Sequence, residues 1–134
     1  MVVARRDELQ LRGEEDVVRT RQTVRRFATE LGMSLVDQTK IVTAASEIAR
    51  NTVIHGGGGW VEIEVLNEGP RLGLKLIFVD QGPGIADVQL ALRDGYTTGS
   101  GLGLGLGGAK RLVSVFDIDS RPGEGTRISL IRWR

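Results

Sequence analysis

Glu47 and Asn51 stand four residues apart in Ser46-Glu-Ile-Ala-Arg-Asn51. On a helix that spacing puts both on one face. An amide oxygen suits Mg²⁺, a hard cation that keeps waters and phosphate oxygens in its shell. A carboxylate one turn earlier can take the proton of an attacking hydroxyl. Taken alone, the pair equally describes a solvated helix face. Asp80-x-Gly82-x-Gly84 follows an apolar run. A carboxylate there, beside glycines that leave room for a flat ring, can accept hydrogen bonds from an adenine amino group; it can equally close an Asx turn. Gly99-Ser-Gly-Leu-Gly-Leu-Gly-Leu-Gly-Gly108 has six glycines in ten residues, just before a run that reads as helix, Ala109 to Phe116. Glycine lets backbone N–H groups approach an anion closely, and a helix start adds unpaired donors, so the stretch reads as a phosphate cradle. Leu102, Leu104 and Leu106 make it too apolar for a solvated linker. Gly125-Thr126 opens the last strand; its hydroxyl could reach a base through water, and by itself it is only part of a hairpin.

Two common phosphate motifs fail. Gly103-x-Gly105-x-x-Gly108 has the dinucleotide spacing, but loop-like Asp94-Gly-Tyr-Thr-Thr-Gly-Ser precedes it where a strand is needed. A P-loop requires Gly-Lys-Ser/Thr, and the chain has Gly108-Ala-Lys-Arg111. The totals narrow the field further. A length of 134 residues suggests one domain, residues 1–134, with a real core. A formal net charge of +1 gives no electrostatic case for nucleic acid or a membrane surface. Zero cysteines exclude disulfides and cysteine-based zinc sites and suit a reducing cytoplasm; a single histidine excludes a multi-histidine metal site. No leader or membrane span is visible, and aromatics at 4% argue against base-stacking platforms.

The elements that must position these groups can be read in order. Residues 2–11 suit an exposed edge strand. Glu14 to Leu31 reads as a helix with Val17, Val24, Phe27, Ala28 and Leu31 on one face, and Arg19, Arg25 and Arg26 on a solvated one. Gly32 ends it, and Ser34-Leu-Val-Asp37 resembles a capping box opening a second helix to about Ile54. That helix packs through Ile41, Ala44, Ala45, Ile48 and Thr52 and carries Glu47 and Asn51. Trp60 to Leu66 alternates as a strand, and Leu72 to Val79 reads as a more central one ending at Asp80. Residues 86–101 read as a short helix and a glycine-flanked segment. Asp117 to Arg121 and Thr126 to Trp133 bracket the hairpin turn Pro122-Gly-Glu-Gly125.

In order, these four groups resemble the N box, G1 box, G2 box and terminal Gly-Thr of the GHKL superfamily, which includes gyrase, Hsp90, histidine kinases and MutL. The resemblance runs from about Ser34 to Thr126, with each motif on the expected element type. It implies an α/β (α+β) sandwich: a mixed, largely antiparallel sheet with helices on one face and ATP between them. Residues 86–101 would be the lid. The chain shows neither the dimerisation helices of histidine kinases nor the extra domains of gyrase, Hsp90 and MutL. It is thus most similar to the bacterial switch kinases of the SpoIIAB, RsbW and RsbT group, and within that group to the RsbT type.

Carried over by residue, the resemblance makes Glu47 the general base and Asn51 the Mg²⁺ ligand. Asp80 would read adenine, with Gly82 and Gly84 giving it room and Ile85 beside it. Gly101, Leu102, Gly103, Leu104, Gly105 and Leu106 would wrap the phosphates, and Thr126 would support the base. His55 reads as a helix-end contact, Arg50 as a phosphate or partner contact, and Lys110 as either a phosphate contact or an exposed helix position. The implied activity is ATP- and Mg²⁺-dependent phosphorylation of a serine or threonine on a STAS-domain protein in a stressosome-type, partner-switching pathway in the cytoplasm. A serine phosphatase or a sigma factor would be a further partner; nucleic acid and membrane would not. Two other readings stand beside it: a nucleotide-gated binding protein with secondary kinase activity, and simple ATP hydrolysis.

Overall fold

A computed structural model of the chain describes residues 2–92 and 106–134. Its elements in order are β1 (Val2–Leu11), α1 (Glu14–Glu30), α2 (Leu35–Ile54), β2 (Gly59–Glu68), β3 (Arg71–Asp80), α3 (Val88–Ala91), α4 (Leu106–Arg111), β4 (Val115–Arg121) and β5 (Gly125–Trp133). The sheet order is β1-β2-β3-β5-β4, and every pairing is antiparallel. The apolar run of Leu72 to Val79 thus lies in the middle strand, as its composition suggests. The charged first strand lies at an edge.

One face of the sheet carries the core. Ile63, Leu76 and Leu130 lie in register across β2, β3 and β5, and so do Val61, Phe78 and Ile128. All are buried, in one cluster with Val24 and Phe27 of α1 and Ile41, Ala45 and Ile48 of α2. Side chains of this size stabilise by about 1.5–3 kcal/mol each when fully buried, so this face fixes where α2 can lie. β1 is tied to α1 from the edge: Arg5 lies 4.3 Å from the Phe27 ring centroid and 2.7 Å from Glu30. On the opposite face Trp133 lies over Gly73, with the Arg71 guanidinium 4.0 Å from its ring.

Helix α2 starts as its sequence predicts. The Ser34 hydroxyl accepts from the Asp37 N–H at 3.1 Å. The Asp37 carboxylate, however, turns to Arg132 of β5, and Arg132 Nη1 also donates to the Leu112 carbonyl at 3.0 Å. One guanidinium therefore joins the α2 start, the segment after α4 and the fourth strand in sheet order. The third helix differs from expectation. Residues 109–116 read as helix, but α4 spans Leu106–Arg111 and Val115 already belongs to β4. The reason is β5: Ser114 N–H donates to the Ile131 carbonyl, and Val115 pairs with Ile131. Sheet pairing overrides the weak local helix pattern. Of the lid segment 86–101, residues 86–92, with α3, are described; residues 93–101 lie outside the described residues.

The Arg132 hydrogen bond holds the Asp37 carboxyl below the usual carboxylate range. Its stabilising contribution is present above the unfolded pKa of about 3.9 and is lost as pH falls through the lower folded value. We expect Asp37→Asn to flatten the acid limb of a melting-temperature profile between neutral pH and about pH 3. Arg132→Lys should lower the melting temperature at neutral pH, because one ammonium cannot reproduce the forked contact.

Candidate functional site

The site lies where α2 and β3 both end. The α2 C-terminus is closed by its own backbone, with the Asn51 carbonyl accepting from His55 and Gly56 N–H at 2.9 and 3.1 Å. This turn brings Gly56 against the last residue of β3. A Cβ at Gly56 would stand 2.4 Å from Asp80 Cγ, so no larger residue fits beside that carboxyl. Asp80 itself is 9% exposed. Its Oδ1 accepts from Gly82 N–H at 2.9 Å, the Asx geometry that its spacing allowed. Burial nonetheless raises the Asp80 pKa, against the opposing pull of the Gly82 and Thr126 N–H groups.

The loop after β3 is held by the β4–β5 hairpin. Ile85 N–H donates to Ser120 Oγ at 2.8 Å, and Gly123 N–H to the Pro83 carbonyl at 2.7 Å. Gly84 has φ +74°, and a Cβ there would meet the Arg121 carbonyl at 2.0 Å. A Cβ at Gly82 would meet the Gly56 carbonyl at 2.5 Å. Chain-to-chain packing therefore already demands glycine at both positions that the sequence reading reserved for ring space. The Ser120 and Thr126 hydroxyls are 2.7 Å apart, and Ser120 Oγ also lies 3.2 Å from the Gly125 carbonyl. When Ser120 donates to Gly125, Thr126 donates to Ser120 and keeps its lone pairs available.

These groups surround a cavity of about 40 Å³. Asn51, Asp80, Gly84, Ile85, Leu106 and Thr126 line it, so six of the residues proposed from sequence meet there. Thr52, His55, Gly56 and Ile128 complete the wall. Leu106 is 2% exposed and starts α4, and it contributes an apolar surface. Gly82 stands outside this wall. Gly101 to Gly105 lie outside the described residues. Glu47 also stands outside the cavity: it lines a separate groove between α2 and α4. Arg50 bridges Glu47 at 3.8 Å and Glu14 at 3.6 Å, half-exposed contacts of a kind that add little stability.

Sequence reasoning missed Gly56 and Ser120. Gly56 belongs to a run of four glycines that reads simply as a helix stop. Ser120 carries no local signal, because its partners lie 35 and six residues away. Period-two alternation in β4 does place it on the inward face with Ile118.

The donor chemistry fits a nucleotide with Mg²⁺. Among the described residues no group of three or more histidine, cysteine or acidic side chains could hold a metal by itself. Asn51 offers one hard oxygen, which suits an ion that takes its remaining ligands from phosphates and water. The buried Asp80 carboxyl offers an acceptor beside an apolar slot formed by Ile85, Leu106 and Ile128.

Residues 36–134 match the family model described as histidine kinase-, DNA gyrase B- and HSP90-like ATPase. The chain is 48% identical over 120 residues to the serine/threonine-protein kinase RsbT of Bacillus subtilis, covering 90% of each chain. It is 34% identical over 119 residues to an anti-sigma F factor of Anoxybacillus flavithermus, covering 84% of this chain and 80% of the relative. Among solved structures, the RsbU and RsbW domains of a Mycobacterium tuberculosis protein match 98% of this chain and 33% of theirs, with a TM-score of 0.67 and 22% identity. A SiaB–SiaC complex from Pseudomonas aeruginosa matches 98% of this chain and 91% of its own, with a TM-score of 0.54 and 13% identity. These two structures support the fold.

The raised pKa of Asp80 separates its stability role from its binding role. With the folded value above the unfolded one, the group's stabilising contribution is present below about pH 3.9 and lost as pH rises through the folded value. Above the folded pKa the ionised carboxyl therefore weighs against the fold. We expect Asp80→Asn to melt at the wild-type temperature or above it. The same variant should lose about 10- to 100-fold in ATP affinity, since a hydrogen bond to a charged acceptor is removed. Thermal melts and calorimetric titration with ATP check the two halves.

Proposed function

The chain belongs to the histidine kinase-, DNA gyrase B- and HSP90-like ATPase family, within its serine/threonine-protein kinase branch, and from that premise we propose that it phosphorylates a serine or threonine of a STAS-domain protein in a partner-switching, stressosome-type pathway. Residues 1–134 act as one ATP-binding kinase unit in this reading. The observation that carries it is the cavity that Asp80 and Asn51 both line, with Glu47 one turn earlier on α2. Among the described residues no helix is long and apolar enough to cross a membrane; the place of action in this reading is the cytoplasm.

In the proposed mechanism, Asp80 accepts from the adenine amino group, and Ile85, Leu106 and Ile128 cover the ring. Thr126, positioned by Ser120, supports the base from the hairpin side. Gly101 to Leu106 wrap the phosphates. Asn51 holds Mg²⁺, which when bound neutralises phosphate charge. Glu47 orients the acceptor hydroxyl and takes its proton. The acceptor oxygen forms a bond to the γ-phosphorus while the bond to the β-phosphate oxygen breaks, and that oxygen keeps the electron pair. Positioning and electrostatic stabilisation supply most of the rate enhancement in such transfers.

The 34% identity to an anti-sigma F factor favours one second reading. In it, nucleotide binding gates attachment to a sigma factor or a serine phosphatase, and phosphoryl transfer is secondary.

Labelled ATP incubated with a panel of purified STAS-domain proteins tests the first reading. We expect Mg²⁺-dependent label on a serine or threonine of one of them, and none after chelation of the metal. Glu47→Ala should reduce transfer by about 10²- to 10⁴-fold, the range of a general base, while binding ATP as the wild type does. ATP binding with no label on any acceptor favours the gated binder. Undiminished transfer by Glu47→Ala removes that residue from the role of base.

A further inference from the structure

One end of the core face carries a polar row. Ser120, Thr126 and Asp80 lie in register across β4, β5 and β3. The next row on the same face is Ile118, Ile128 and Phe78, which belong to the core or pack against it. The polar row is thus not the solvent side of an alternating strand. Asp80 and Thr126 are each 9% exposed. Both line the cavity, as does Ile85; Ser120 is outside its described wall.

A serine hydroxyl has one proton to give and two lone pairs with which to accept. At Ser120 all three have partners. One lone pair accepts the Ile85 N–H at 2.8 Å. The proton goes to the Gly125 carbonyl at 3.2 Å. Thr126 Oγ1 stands 2.7 Å away, so the second lone pair accepts the Thr126 proton. The Thr126 hydroxyl is then left with lone pairs alone. An ionised Asp80 likewise only accepts. Two acceptors therefore stand side by side on neighbouring strands, and the polarity of one of them is set by a residue of a third strand.

We infer that Ser120 is a positioning residue that sets the base selectivity of the site: by holding the Thr126 proton it keeps that hydroxyl accepting only, so that Asp80 and Thr126 together take a purine with an exocyclic amino group and turn away one with an oxo group. The inference rests on the ATP-binding reading above and deepens it. An amino group offers two N–H donors, one for each acceptor. An oxo group brings lone pairs to the same place and meets acceptors with no proton between. Polar groups left unpaired in a buried site are costly, and a site built for a donor rejects the analogue that lacks it. A Thr126 hydroxyl released from Ser120 is free to rotate and to donate to the oxo group, which removes its share of the selection. Ser120 acts on the base through Thr126 and through Ile85, without touching it.

The test is calorimetric titration of the full chain, with Mg²⁺ present, using ATP and inosine triphosphate, which carries an oxo group where ATP has its amino group. The variants are Ser120→Ala, Ser120→Thr, Thr126→Val and Ser120→Ala combined with Thr126→Val. We expect wild type to prefer ATP, and Ser120→Ala to lower the ratio of ATP to inosine triphosphate affinity by about 5-fold or more. Ser120→Thr keeps the hydroxyl and should hold the ratio within about 2-fold of wild type. In the Thr126→Val background the serine change should leave the ratio as it was, because the hydroxyl it acts through is gone. Equal weakening of both nucleotides by Ser120→Ala makes the serine a staple of the hairpin and overturns the inference, with ATP binding intact. A ratio shift that persists in the Thr126→Val background routes the effect through another group and also overturns it. Ser120→Cys, similar in size but a weak acceptor, is read in the same way should Ser120→Ala fail to fold. A wild type that binds the two nucleotides equally overturns the inference alone; one that binds neither overturns the ATP-binding reading with it.

Discussion

A carboxylate at the end of a central strand can be buried only if the backbone around it comes very close, and Asp80 is such a carboxylate. The end of α2 reaches it at Gly56, the loop after β3 returns to it at Gly82, and the hairpin reaches it at Gly125, where a Cβ would stand 2.3 Å from the Asp80 carbonyl. Side chains at these positions would push the three segments apart. With them absent, backbone N–H groups of Gly82 and Thr126 reach the carboxyl. Hydrogen bonds to a charged group are worth about 1.5–3 kcal/mol each, yet burial still prevails and the pKa rises. The corner therefore keeps a buried carboxyl whose charged form is disfavoured by desolvation.

That constraint explains why the sheet and helices are arranged as they are. β3 must be central so that both of its neighbours, β2 and β5, can bring backbone to its end. α2 must cross the core face so that its C-terminus falls at the same corner, and its buried stripe of Ile41, Ala45 and Ile48 sets that path. Arg132 fixes the other end of α2 against β5 through Asp37. Helix α2 is thus held at its start through Asp37 and closely packed at its end through Gly56, with Glu47 and Asn51 between the two.

Much of this was readable in the residues. Period-two alternation located β2, the hairpin turn at Pro122-Gly-Glu-Gly125 located β4 and β5, the apolar run placed β3 in the middle, and Ser34 marked the start of α2. Asp80 and Thr126 were visible because each falls at a strand end, Gly84 because it follows Asp80 at a fixed spacing, and Asn51 because it lies four residues from Glu47 on a helix. What stayed hidden was set by long-range approach. Gly56 looks like a helix stop until Asp80 is seen against it, and Ser120 becomes informative only once Ile85 and Thr126 lie beside it. The end of α4 was misread because Val113, Val115 and Phe116 are compatible with either period, and pairing with β5 decides between them. Glycines posed the same difficulty in reverse: at 82 and 84 their spacing suggested room for a ligand, whereas the chain itself fills the space where a side chain would stand.

Glu47 and Asn51 show how one helix can serve two cavities. Four residues put them on the same face but one turn apart along the axis, about 6 Å. That offset is enough for Asn51 to border the slot beside Asp80 while Glu47 borders the seam with α4. A transferred phosphoryl group travels between two oxygens, one from the nucleotide and one from the acceptor. A helix whose successive turns face the two sides is a natural divider for such a transfer. Leu106 and Gly108 repeat the offset on α4: Leu106 is buried and lines the cavity beside Asp80, and Gly108, two residues on, borders the seam.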